Sequence, residues 1–182
     1  MAYNPAEELV IIVDRDNNVT GSATRRQMRA ERLPHRCSYV LVFNSRGELY
    51  VQKRTVTKDI YPDYWDPAAG GVMQVGESYE ESAAREVGEE LGVQDVELRP
   101  LFDMWFEDER SAVWGRAFTC VYDGSLALQV EEVQFVECMT PAEVLRRAAG
   151  GETFTPDGLE VVSRYLRSLQ SEVDAPSSSA DR

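Results

Sequence analysis

Histidine is almost absent from this chain: His35 is the only one in 182 residues. That excludes His-rich zinc sites and any HExxH metalloprotease. Cysteine is scarce and odd in number. Cys37, Cys120 and Cys138 are widely spaced and form no CxxC pair, which excludes a disulfide framework and predicts buried thiols in a reducing cytoplasm. No apolar run approaches the length that crosses a bilayer, and the opening MAYNPAEELV lacks the basic-then-apolar layout of a signal peptide. A cytoplasmic protein without a membrane partner is the expectation. Positive charge is in deficit, with 19 Lys and Arg against 32 Asp and Glu and a net charge of −13. Such a balance opposes nonspecific nucleic-acid binding, which needs a basic footprint. It does not oppose an anionic small molecule, because a bound metal and a few local cations invert the field inside one cleft.

What the chain has in excess is carboxylate, concentrated between Gly71 and Val93 in GVMQVGESYEESAAREVGEELGV. Glu77, Glu80, Glu81, Glu86, Glu89 and Glu90 surround a single cation, Arg85. From Ser78 to Leu91 there is no proline, and Tyr79, Ala83, Ala84, Val87 and Leu91 recur at helical spacings. Gly92 stands where a helix C-cap glycine would, so the stretch reads as loop, helix and stop. Gly88 weakens that helix by about 1 kcal/mol against alanine. Glu86, Glu89 and Glu90 fall on one face of it. Like charges so placed repel, and a hard divalent cation, Mg²⁺ or in its place Mn²⁺, would relieve the repulsion with oxygen ligands. The alternative is a solvated acidic face, which the near absence of interleaved lysine disfavours.

Gly71, five residues, Glu77, seven residues, and then Arg85-Glu86-Val87-Gly88-Glu89-Glu90-Leu91-Gly92-Val93 resembles the Nudix box at every defining position. The resemblance implies the Nudix fold and Mg²⁺-dependent cleavage of a diphosphate linked to another moiety. Carried over by position, it implies metal binding by Glu86, Glu89 and Glu90 with the Gly71 carbonyl, and bracing of loop against helix by Arg85 and Glu77. Gly71-xxxx-Gly76-Glu77-Ser78 also has P-loop spacing, but Glu77 stands where the phosphate-binding lysine belongs. The sign of the charge rules that motif out.

Along the chain, Leu9–Val13, the turn cluster at residues 14–18 and Val19 read as a hairpin. Thr24–Arg32 reads as a basic helix with Thr24 as N-cap, so that hairpin and helix together occupy about residues 8–33. Arg25, Arg26, Arg29 and Arg32 on that helix fit a solvated face better than a contact with substrate or a second subunit. Tyr39–Phe43 and Leu49–Arg54 read as strands. Arg54 and Lys58, just beyond a strand end and upstream of the acidic helix, are candidates to grip phosphate oxygens. Val96–Phe106 and Ala112–Tyr122 read as strands that carry Phe102, Trp105, Phe106, Trp114 and Phe118, core residues of which one or two could stack on a base. Val133–Cys138 is a further strand. Thr140-Pro141-Ala142-Glu143 and Thr155-Pro156-Asp157 open two helices, to Ala148 and Leu169. The predicted architecture is α/β (α+β), a mixed sheet between helices in one domain over residues 1–170, followed by a disordered tail at 171–182.

The hairpin, His35, the RTVTKDIYPDYWD stretch and the LALQVEEV segment resemble the isopentenyl-diphosphate isomerase branch over roughly residues 8–140, where the counterparts of Arg54 and Lys58 hold diphosphate. The isomerase chemistry does not carry over. That branch's catalytic cysteine falls on Gly70, two metal histidines fall on Met28 and Val72, and its glutamate near the second hairpin falls on about Gly115, whereas the full REVGEE pattern is present here. The expectation is a hydrolase on an isomerase-like scaffold. Glu89 is the first choice of general base and Glu131 or Glu132 the alternative. An isomerase, and a non-catalytic nucleotide- or protein-binding module, are the competing readings. The partner implied is a small-molecule diphosphate, with homodimerisation left open.

Overall fold

The structure, a computed structural model, describes residues 4–174, with side chains through residue 171. After a short 3₁₀ turn at Pro5–Glu7, β1 (Leu9–Val13) and β2 (Val19–Thr24) form the expected antiparallel hairpin. Asp14 closes its turn by accepting from the backbone N–H groups of Asp16 and Asn18, the usual way an Asp side chain stabilises a turn. Helix α1 (Arg25–Ala30) follows, and Thr24 caps it by accepting from the Gln27 N–H.

Strand β3 (His35–Phe43) is the axis of the molecule. It runs parallel to β8 (Ala112–Val121) along its whole length and antiparallel to β6 (Ala69–Val72). Its ends touch β1 and β4 (Leu49–Arg54). Almost every β3 side chain is buried, the pattern of a strand covered on both faces. Cys37, Tyr39, Leu41 and Phe43 pack with Met28 of α1, Val144 of α3 (Pro141–Ala149) and Val161 and Val162 of α4 (Pro156–Asp174). Val40 and Val42 point the other way, onto Ala83, Val87 and Leu91 of α2 (Tyr79–Leu91). The sheet is therefore sandwiched, with α2 alone on one face. Strands β5 (Trp65–Asp66), β7 (Arg99–Glu107) and β9 (Val133–Met139) complete nine strands and four helices among the described residues.

Several expectations are corrected. β3 begins at His35 rather than Tyr39, because β8 pairs residue for residue from His35 onward. β7 begins at Arg99 rather than Val96, where its register with β8 starts. Two short strands, β5 and β6, lie between Arg54 and the box helix, where no strand was read from the sequence. Neither has an alternating pattern of its own, and each exists because β4 or β3 offers a hydrogen-bonding edge. Cys138 is exposed on β9, not buried, while Cys37 and Cys120 are buried, and all three are free thiols. Helix α4 continues to Asp174, past the start of the predicted tail. Residues 175–182 of that tail lie outside the described residues.

Candidate active site

Helix α2 forms where the sequence pattern placed it. Ser78 and Glu81 make a reciprocal capping box, and Gly92 ends the helix with φ 69°, a left-handed conformation that glycine adopts without penalty. The buried stripe Ala83, Val87 and Leu91 fixes the helix's rotation. That rotation turns Glu86 and Glu90 inward, both buried, and leaves Glu89 at the rim with its side chain 52% exposed.

Arg85 ties loop, strand and helix together. Its Nε and Nη2 donate to the two oxygens of Glu77 at 2.6 and 3.0 Å, the bidentate geometry that suits a guanidinium. Nη1 donates to Glu86 Oε1 at 2.8 Å and to Glu89 Oε2 at 3.2 Å. Glu77 also accepts from the Gln74 N–H at 2.9 Å, which anchors the loop that leads into α2. Arg85 is therefore more than a surface ion pair, and these carboxylates hold its pKa above the usual arginine value against the effect of burial.

Gly71 and Glu86 are in close approach. A Cβ on Gly71 would lie 2.4 Å from Glu86 Oε1. Gly70 is as confined, since a Cβ there would lie 2.0 Å from the Ser38 carbonyl oxygen. Burial first, and then the charge of Glu90, push the Glu86 carboxyl up to about 7. Burial likewise raises Glu90, although Lys58 and Gln52 pull the other way. Two carboxylates crowded in a dry site are what a divalent cation would stabilise, and the donor set, all carboxylate oxygens beside the Gly71 backbone, suits a hard ion. Among the described residues no three acidic, Cys or His side chains converge on one point. Each carboxylate is turned to a protein donor: Glu86 and Glu89 to Arg85, and Glu90 to Gln52 and the Gly70 N–H.

Arg54 and Lys58 approach Gly70 and Gly71 from β4 and the segment beyond it. A cavity of about 50 Å³ is lined by both, with Gly70, Gly71, Arg25 and Arg29 among its other walls. Arg54 is nearly buried and already engaged: Nη1 meets Asp66 at 3.0 Å, and Nε and Nη2 donate to the Tyr61 and Ile60 carbonyls. Lys58 Nζ is bonded to Glu132 and lies 3.5 Å from Glu90 Oε1. Glu132, the alternative general base, is thus joined to the box through Lys58. The Glu131 carbonyl accepts from the Thr55 hydroxyl at 3.0 Å.

Arg25 and Arg29 correct the expectation of a solvated face, while Arg26 is exposed as expected. Arg25 and Arg29 are mostly covered and share Asp59, at 3.5 and 3.0 Å. Burial would raise the Asp59 carboxyl, but the two guanidiniums hold it down at about 2. With Lys58 they also line a second cavity of about 490 Å³ that opens toward Pro5 and Ala6. The aromatics at the inner cavity are Tyr39 and Tyr61, not the β7–β8 residues singled out from sequence. The Tyr39 hydroxyl donates to the half-buried Asp157 at 2.9 Å. No local signal marked Tyr39, Asp59, Asp66, Asp157 or Gln52, because each reaches the site by chain crossing.

A family model for the NUDIX domain matches residues 33–158. An uncharacterized Nudix hydrolase of Yersinia pestis is 46% identical over 165 residues, covering 90% of this chain and 89% of its own length. The uncharacterized Nudix hydrolase YfcD of Escherichia coli K12 is 42% identical over 160 residues, covering 88% and 87%. Among solved structures, DR0079 of Deinococcus radiodurans superposes with a TM-score of 0.76 at 29% identity, covering 86% of this chain and 98% of that one. The NUDIX domain of Shewanella oneidensis NrtR, solved with ADP ribose, has a TM-score of 0.58 at 16% identity, over 81% of this chain and 99% of that one, and shows the fold alone. With the box geometry, the sandwich and these relatives in agreement, the chain belongs to the Nudix hydrolase family.

Proposed function

We propose that this hydrolase uses Mg²⁺, or Mn²⁺ in its place, to cleave the diphosphate linkage of a nucleoside diphosphate derivative or a related organic pyrophosphate. The observation that carries this reading is the linkage of Glu86 and Glu89 through Arg85 to Glu77, with Gly71 against Glu86 and Lys58 3.5 Å from Glu90. In an acidic chain this is where a phosphate group meets cations.

Glu86, Glu89 and Glu90, with the Gly71 carbonyl, would hold the cation. Once bound, it would neutralise the phosphates and stabilise charge on the leaving oxygen. Lys58 supplies a second positive charge from its tether on Glu132. Arg54, fixed by three protein acceptors, contributes its charge more than free N–H groups. Glu89 is half-exposed and adjacent to the buried pair, so its carboxylate can accept a proton from a water that attacks phosphorus. Glu132 is the alternative base. Gly70 favours hydrolysis over isomerisation, since its backbone position has no room for a side chain that could carry a thiol.

The small-molecule partner of one fold neighbour, ADP ribose, belongs in the test panel for this chain. So do nucleoside di- and triphosphates, nucleotide sugars, dinucleotides and isoprenyl diphosphates. Phosphate and nucleotide release is measured with and without Mg²⁺ for wild type and Glu89→Gln. The expected result is metal-dependent cleavage that falls by roughly 100-fold or more in the variant. Tight metal-dependent binding without cleavage would instead identify a binding module, and rearrangement of an isoprenyl diphosphate would identify an isomerase.

A further inference from the structure

Glu90 is the most enclosed box carboxylate, with its side chain 4% exposed, and its two oxygens are treated differently. Oε2 accepts from Gln52 Nε2 at 3.0 Å and from the Gly70 N–H at 3.2 Å. Oε1 lies 3.5 Å from Lys58 Nζ, whose hydrogen bond goes to Glu132 instead. One oxygen is fastened by two hydrogen bonds and the other faces the Lys58 ammonium.

Both fasteners are rigid. Gln52 is 2% exposed on β4, between Asp66 of β5 and Val136 of β9. Gly70 is paired with Tyr39 on the central strand. Neither residue belongs to the 71–93 motif. A neutral amide buried in a sheet needs a partner, and Gln52 Nε2 finds it in the oxygen that the Gly70 N–H already holds.

We propose that Gln52 is a positioning residue of the cation site: with the Gly70 N–H it clamps Glu90 Oε2, so that Oε1 stays on the Lys58 side as a ligand for a divalent cation. This rests on the hydrolase reading above. Outer donors of this kind orient ligands, and their removal weakens metal affinity by roughly 10- to 100-fold.

Mn²⁺ titration of the full chain, followed by the electron paramagnetic resonance of the free ion, tests the clamp in wild type, Gln52→Leu and Gln52→Asn. Asn keeps the amide but falls one methylene short, and it carries the test if the Leu variant does not fold. The expected result is an Mn²⁺ Kd raised roughly tenfold or more in both variants, with hydrolysis recovering toward wild type as Mn²⁺ is raised. A merely structural role would lower Tm and leave the Kd unmoved. Wild-type Kd in a folded variant overturns the clamp and leaves the hydrolase reading standing. A wild-type chain that binds Mn²⁺ no better than Glu86→Gln overturns the cation site itself.

Discussion

At the scale of single residues, the site is built from approaches too close to admit alternatives. Gly71 leaves room for the Glu86 carboxylate only because it has no side chain. Gly71→Ala is expected to push aside the flexible end of Glu86, not the backbone. Tm should therefore shift little, while kcat/KM falls by roughly 100-fold, the scale of a misplacement of about 1 Å. An unfolded Gly71→Ala would refute this account. Lys58 lies 3.5 Å from Glu90 Oε1, where under the proposed hydrolase reading it would compete with an incoming cation and attract a phosphate. Lys58→Met should tighten Mn²⁺ binding several-fold and raise KM for the diphosphate substrate. Weaker Mn²⁺ binding in that variant would assign Lys58 a different role.

At the scale of elements, α2 is determined locally and α1 is not. Ser78, Glu81, Gly92 and the Ala83–Val87–Leu91 stripe specify start, stop and rotation of α2 within one segment. Ser78→Ala removes the acceptor for the Glu81 N–H and should destabilise the protein by about 1 kcal/mol. Equilibrium urea unfolding measures it, and kcat at 25 °C should be unchanged because the cap lies away from Glu86 and Glu90. In α1 the cap at Thr24 was legible in the sequence, but the role of its arginines was not. Which face of a six-residue helix is covered depends on Asp59, 30 residues beyond Arg29, and no local pattern reports that.

At the scale of the whole molecule, one imidazole is enclosed by the sheet. His35 starts the central strand, its Nδ1–H donating to the Leu33 carbonyl at 2.8 Å while Nε2 has no partner among the described residues. Burial first, and then Arg29, lower its pKa from 6.5 to about 3. The unfolded chain therefore takes up a proton on His35 below about pH 6.5 that the folded chain refuses until about pH 3. This contribution is fully present above pH 6.5 and is lost as pH falls through that window, by up to about 1.4 kcal/mol per unit. With a single histidine in the chain, its ¹⁵N resonances can be followed directly. A neutral ring protonated at Nδ1 is expected down to pH 5, and a charged ring at pH 6 would show that the strand end is open to water.

Before any folding is considered, the sequence alone determined the box helix and its C-cap, the N-terminal hairpin, β4 from Leu49 to Arg54, and the shared helix face of Glu86, Glu89 and Glu90, because hydrophobic periodicity and capping chemistry act within a few residues. Tertiary structure alone decided the rest. It placed Gln52 and Gly70 on one oxygen of Glu90 and Arg25 with Arg29 on Asp59, and it created β5 and β6 from residues with no strand pattern. Each of these depends on which distant backbone or charge lies opposite once β3 is sandwiched, and that is a property of packing rather than of spacing.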